Sequence, residues 1–212
     1  MKKIFSFAAV ALLAVSAAFA QDYTRLQASY VAFKLTDTEL GDKEIQPKGI
    51  NLGAALGFSV TDDLPIYVEP GINLTWAHSA QDIDATRYLI GERKFTYMNV
   101  AIPVNGVYKF EVNDKVAISG HAGFNFKVNF MARQHNDDDK FSWLSKKDMG
   151  SRDDRANIFQ LGGQIGCGVH LGAFYIGYQF QSDFMKFQEF KAGGPSHKWL
   201  ANYITLGITM SE

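Results

Sequence analysis

Cysteine is almost missing from this chain: Cys167 stands alone among 212 residues. No internal disulfide can form, so strand pairing and packing must hold the fold by themselves. Long apolar runs are missing beyond the first twenty residues, and charged residues interrupt the rest throughout. That excludes a helical membrane protein. It does not exclude a barrel, in which only alternate residues need be apolar. An excess of one charge is missing too. Taking Lys2 and Lys3 from the 21 basic residues leaves 19 against 22 acidic ones, a net charge of −3. Such a balance excludes a nucleic-acid binder, which needs a basic surface to displace counterions.

What is present begins with an export signal. Lys2 and Lys3 precede an apolar run from Ile4 to Phe19, and Ala18-Phe19-Ala20 fits a small-x-small cleavage site. The run is short for a bilayer span. Residues 1–20 therefore read as a signal peptide and residues 21–212 as one domain.

That domain is a series of alternations. Ile50, Leu52, Ala54, Leu56, Phe58 and Val60 share one face, with Asn51, Gly53, Ala55, Gly57 and Ser59 on the other. Ile66 to Trp76 repeats the pattern against Tyr67, Glu69, Asn73 and Thr75. It recurs over Phe95–Phe110, Val116–Ala132, Asn157–Leu171, Phe174–Phe184 and Leu200–Met210. A period of two over such lengths means strands. Tyr23 to Leu35 comes first and is blurred, with Val31, Phe33 and Leu35 on one face and Tyr30 and Ala32 on the other.

The connections alternate as well. Residues 61–64, 111–114 and 171–173 are tight; residues 36–47, 79–92, 134–155 and 187–197 are long and polar. Eight strands joined in this way predict an antiparallel up-and-down transmembrane β-barrel. Its turns and both termini would face the periplasm and its loops the cell exterior. Pro70 and Pro103 each remove a ladder hydrogen bond, and a bulge is expected near them.

The chain here resembles small outer-membrane barrels of the OmpA/OmpX type. More specifically, it resembles the single-domain outer membrane protein β-barrel families of Bacteroidetes-type bacteria. Asn99-Val100-Ala101-Ile102-Pro103-Val104 leading to Tyr108-Lys109-Phe110 is similar to the Ile-Pro-x…Tyr-x-Phe strand of those families. Such barrels usually end in an aromatic residue, whereas this chain ends Met210-Ser211-Glu212. The resemblance implies residence in the cell outer membrane. It also implies outer-membrane lipid, periplasmic chaperones and the barrel-assembly machinery as partners.

Three features place lipid outside. The polar face is rich in Asn, Gln, Ser, Thr, Tyr and Gly and poor in charge. Aromatics gather near both ends of the apolar face: Phe58, Tyr108, Phe110 and Phe174 by the turns, Trp76, Phe130, Phe159 and Phe184 by the loops. The loops sort by length. An eight-stranded barrel is just wide enough for side chains to fill, so a polar plug is expected and a wide pore is not. Its charges should pair. Glu69 should reach Lys109 near the turns, and Asp183 should reach Lys127 or Arg133 near the loops.

Candidate chemistry is sparse. His121 and His170 lie on polar faces and read as bonded interior histidines. His78-Ser79 and Ser196-His197 sit at strand–loop junctions, with no orienting acid placed by the sequence. Asp137-Asp138-Asp139 lacks calcium-loop spacing and sits among Lys140, Lys146, Lys147, Arg152 and Arg155, as in a solvated loop. No cofactor or metal is expected. Phe141, Trp143 and Leu144 are apolar residues in a polar loop, suited either to a partner or to anchoring on the rim. The reading is a non-enzymatic outer-membrane barrel acting through external loops on an unknown extracellular partner, in adhesion, envelope integrity or a secretion assembly. The alternatives are a soluble lipocalin-like ligand-binding barrel, with an apolar cavity, and an outer-membrane lipid-modifying enzyme.

Overall fold

The computed structural model describes residues 22–37, 46–61, 63–83, 91–135, 140–145, 156–189 and 196–211. The segment read as a signal peptide and the Asp137–Asp139 run lie outside the described residues. Each stretch of period-two alternation is a strand. The long ones are β1 (Tyr23–Asp37), β2 (Lys48–Thr61), β3 (Leu64–Ile83), β4 (Gly91–Asn113), β5 (Val116–His135), β7 (Phe159–Leu171), β8 (Phe174–Asp183) and β10 (Ser196–Ser211). Two short strands add to them: β6 (Lys140–Ser142) on β5, and β9 (Gln188–Glu189) on β10. The long strands pair antiparallel in chain order. β10 returns to β1 from Tyr23↔Ser211 to Asp37↔His197. The sheet is thus a closed eight-stranded barrel with no open edge.

The tight connections share one end. At one of them Asn113 Oδ1 accepts from the backbone N–H groups of Lys115 (2.9 Å) and Val116 (3.0 Å), an Asx turn. At another, Gly172 takes a φ of 59°, where a side chain would be strained. The longer connections share the opposite end. There the strands climb further than the alternation suggested: β3 and β4 stay paired from Ser79↔Phe95 to Ile83↔Gly91, through residues read as loop. Backbone pairing needs no apolar face, so strands continue where hydropathy stops marking them.

The prolines produce gaps, not the expected bulge. Pairing of β2 with β3 stops at Ala55↔Gly71 and resumes at Phe58↔Val68 in the same register; β3 with β4 passes from Asn73↔Ala101 to Pro70↔Val104 likewise. A missing donor can be absorbed by local lapses in the ladder without an inserted residue. A bulge does occur higher up. Met98 pairs with Met131 and Asn99 with Asn129, so Phe130 is one residue too many on β5. Beyond it the inward and outward faces of β5 exchange.

Apart from that exchange the faces are those the alternation implied. Leu52, Ile102, Phe126, Ile165, Ile176 and Leu206, taken around the ring, are all about half exposed on the outer wall. Tyr108, Phe110 and Phe174 ring the turn end of that wall, with Trp76, Phe130, Phe159 and Phe184 at the other end. Most buried side chains point inward; Ala54 and Leu56, on the outward face of β2 with Leu52, are buried as well.

Candidate functional site: a filled barrel interior

The interior has two parts, stacked along the barrel. The turn-side part is polar. β1 contributes Tyr23, Arg25, Gln27 and Ser29 to it; β3 contributes Glu69, Asn73 and Thr75. Arg25 Nη2 meets Glu69 Oε1 at 2.6 Å, and the Tyr23 hydroxyl donates to Glu69 Oε2 at 2.8 Å. The Arg25 guanidinium also lies over the Tyr175 ring, 4.2 Å from its centre. Glu69 is 1% exposed, and the Arg25 and Tyr23 contacts stand in for water at its carboxylate.

Amides extend the network upward. Gln164 Nε2 donates to Asn105 Oδ1 (2.6 Å), and Asn125 Nδ2 donates to the Gln164 and Gln181 carbonyls (3.1 and 2.8 Å). His121 meets Gln179 at 3.2 Å, and His170 meets Ser119 at 3.1 Å. At the top of this region Lys127 Nζ lies 2.5 Å from Asp183 Oδ1, both side chains almost wholly buried.

The loop-side part is aromatic. Phe33, Tyr97 and Trp199 form its floor, with ring centres 5.3 Å (Phe33–Tyr97) and 4.9 Å (Tyr97–Trp199) apart. Two chain segments fold over them. β6 leads to Trp143, whose N–H bonds the Ala132 carbonyl (2.8 Å) while its indole N–H donates to Gln134 Oε1 (3.2 Å). From the other side comes Phe187, its N–H on the His197 carbonyl (2.6 Å). Trp143 packs on Phe95 at 5.2 Å and Phe187 on Trp199 at 5.2 Å. Two hydroxyls join the halves: Tyr97 donates to Asn129 (2.6 Å) and Tyr203 to Gln181 (3.2 Å).

Of the five charged residues expected inside, Glu69, Lys127 and Asp183 are there, and Lys127 and Asp183 are brought together. Two expectations are corrected. Glu69 pairs with Arg25, not Lys109. Lys109 sits lower, at the turn-side mouth, partly exposed and 4.0 Å from Glu111. Arg133 is not inside at all: the Phe130 bulge turns it outward, where it is exposed.

Trp143 is buried in the aromatic part and Leu144 packs against that cluster, so both anchor their loop to the rim. The Phe141 side chain lies outside the described residues. His78 stacks on Trp76 outside the barrel while Ser79 points inward, so these two face opposite sides of the wall. Ser119 and His170 do touch, but among the described residues no carboxylate bonds that histidine. No group of three or more His, Cys, Asp or Glu gathers among the described residues.

Arg25 was missed, together with Phe33, Phe187 and Trp199. Tyr23, Arg25, Gln27 and Ser29 alternate as a polar face, and that signal was available. It was hidden because the same face of β1 turns apolar at Val31, Phe33 and Leu35.

No protein-family model matches the chain, and no curated protein matches it by sequence. Solved structures do share its fold. It is similar to Ail, the attachment invasion locus protein of Yersinia pestis, solved with the heparin analogue sucrose octasulfate. The identity is 10% over 90% of this chain and 100% of that one, with a TM-score of 0.51. It is similar to Neisserial surface protein A at 11% identity, over 89% of this chain and 97% of that one, also at a TM-score of 0.51. At such identities the likeness is one of fold: the chain has the architecture of small outer-membrane β-barrels.

Proposed function

We propose that this protein spans the outer membrane as a filled, non-enzymatic barrel and works through the loops at its aromatic end. The outer wall carries the argument. Around the whole ring it presents Leu, Ile, Val and Phe at roughly 40–60% exposure, while ion pairs and amides lie inside. A soluble carrier would leave that wall in water and keep an apolar cavity within. A bilayer reverses the preference, because lipid satisfies the wall and closure satisfies the backbone.

In this reading the turns and both termini lie in the periplasm and the loops outside the cell. Periplasmic chaperones and the assembly machinery deliver the chain, and an extracellular partner meets the loops in adhesion, envelope integrity or a secretion assembly. Membership of the Bacteroidetes-type barrel family belongs to the same proposal and rests on the strand from Asn99 to Phe110. The filled interior supports a role other than diffusion, since a side-chain plug and an aromatic cap occupy the lumen.

Fractionation of expressing cells tests the reading. The protein should appear in the outer-membrane fraction as a compact band that shifts on boiling. Recovery in the soluble fraction, with no heat shift, would overturn it.

A further inference from the structure

The outer wall is not uniform around the ring. Between the two aromatic rings, the outward side chains of β2, β3, β4 and β5 carry no hydrogen-bonding group. Three adjacent strands on the other side differ. β1 presents Tyr30, β8 presents Tyr178 and Ser182, and β10 presents Asn202, exposed between the buried Ala201 and Tyr203. Register holds Asn202 well inside the apolar band. It is opposite Phe180, which lies four residues short of Phe184 in the loop-side ring and six beyond Phe174 in the turn-side ring.

The Tyr178 hydroxyl donates to Asn202 Oδ1 at 2.6 Å. The Asn202 amide nitrogen is then a donor with no partner among the described residues, and the Tyr178 oxygen remains able to accept. Ala32 is directly opposite Asn202 on β1 and is too short to cover it. Lower on the same face, Ala28 lies in an open groove of about 700 Å³ walled by Leu26, Leu52, Leu206 and Ile208. At this depth water is excluded and acyl chains offer no acceptor. A bare amide there costs free energy that a second protein surface removes.

We propose that this β8–β10–β1 face docks a second copy of the chain within the bilayer. The inference rests on the membrane-spanning reading above. A second copy is favoured because the spare donor and the spare acceptor stand side by side, which makes the patch self-complementary. Under a two-fold axis along the membrane normal, the Asn202 amide of each copy donates to the Tyr178 oxygen of the other, and both pairs meet at one height. Ala28 and Ala32 let the two walls approach closely, as small residues do between membrane-spanning segments. Each such bond is worth about threefold in association, so the symmetric pair is worth about tenfold.

The test folds the full chain into phosphatidylcholine vesicles at several lipid-to-protein ratios, with Cys167→Ala removing the native thiol. On that background Ala32→Cys should yield disulfide-linked dimers under oxidant, in a fraction that falls as lipid dilutes the protein. Ile102→Cys, in the apolar band of β4 on the opposite side of the ring, should yield far fewer. Adding Asn202→Leu to Ala32→Cys should weaken association about tenfold. Asn202→Gln, which keeps a donor and an acceptor, should retain more of it than Asn202→Leu. Should Asn202→Leu lose the heat shift, Tyr178→Phe carries the same test, since it keeps the ring and removes the acceptor. Monomers at every ratio, equal cross-linking from Ala32→Cys and Ile102→Cys, or association unchanged by loss of the amide or the hydroxyl would each overturn the docking face. Failure of the parent chain to insert into vesicles with a heat shift would instead overturn the membrane reading beneath it.

Discussion

The two halves of the barrel interior solve the same problem with different chemistry. On the turn side, Arg25, Glu69, Gln164, Asn125, Lys127 and Asp183 fill the lumen with charges and amides whose groups bond one another. On the loop side, Phe33, Phe95, Tyr97, Trp143, Phe187 and Trp199 fill it with rings. The polar half is made by the barrel strands themselves, each giving a side chain at every second residue. The aromatic half also needs Trp143 and Phe187, which come from connections folded back over the mouth. The first is closed by partnership and the second by volume. Substitutions should therefore fail, and be rescued, in different ways.

The largest effects separate those two mechanisms. Asp183→Ala leaves Lys127 buried without its counter-charge and should cost roughly 3–5 kcal/mol. Trp199→Ala empties a ring-lined site and should cost about as much, roughly 3–5 kcal/mol. Urea unfolding in lipid vesicles, followed by the heat-shifted band, measures both. The second substitution distinguishes them. Lys127→Met added to Asp183→Ala removes the second charge as well and should recover most of the loss. No single substitution of a neighbouring ring should restore Trp199→Ala. If the polar half is not rescued, its stability comes from packing and the contrast between the halves collapses.

A smaller effect tests the wall against the lumen. Ile165 and Gln164 are neighbours at mid-strand, the first 61% exposed outside, the second buried inside. Arginine on the lipid face costs roughly 2–4 kcal/mol near the midplane. Ile165→Arg should therefore impair folding into vesicles more than Gln164→Arg, whose new charge lands among amide carbonyls. A thinner bilayer should narrow the gap. A difference independent of lipid thickness would argue against lipid on that face.

The aromatic cap offers a gentler test, through the loop it holds. Trp143→Ala removes a ring from the cap but leaves the barrel ladder untouched. Protease added to intact cells should then cut between β5 and β7 faster than in the parent, with strand regions still protected. If cleavage occurs only after the outer membrane is opened, the loop end faces the periplasm and the orientation is reversed.

The smallest expected effect shows where the sequence could and could not be read. Eight strands, their order and the sorting of turns and loops were legible, because alternation and turn chemistry are local. Lys127 and Arg133 looked equivalent on that basis, since both fall on the polar face of one strand. The Phe130 bulge separates them: Lys127 is sealed against Asp183, and Arg133 is exposed on the outer wall. A bulge is decided by the partner strand, here by Met98 and Asn99 of β4, so no pattern within β5 announces it. The aromatic half was hidden for a related reason, since Trp143 and Phe187 lie on connections whose return path is a tertiary matter. Arg133→Ala should therefore shift stability by no more than about 0.5 kcal/mol, as for an ordinary surface site. Deleting Phe130 should likewise leave the arginine outside: with the extra residue gone, Asn129 and Met131 become neighbours facing opposite ways, and Arg133 stays opposite Thr96 on the outer wall. Were Arg133→Ala as costly as Asp183→Ala, the arginine would be an interior group and the bulge would be misplaced.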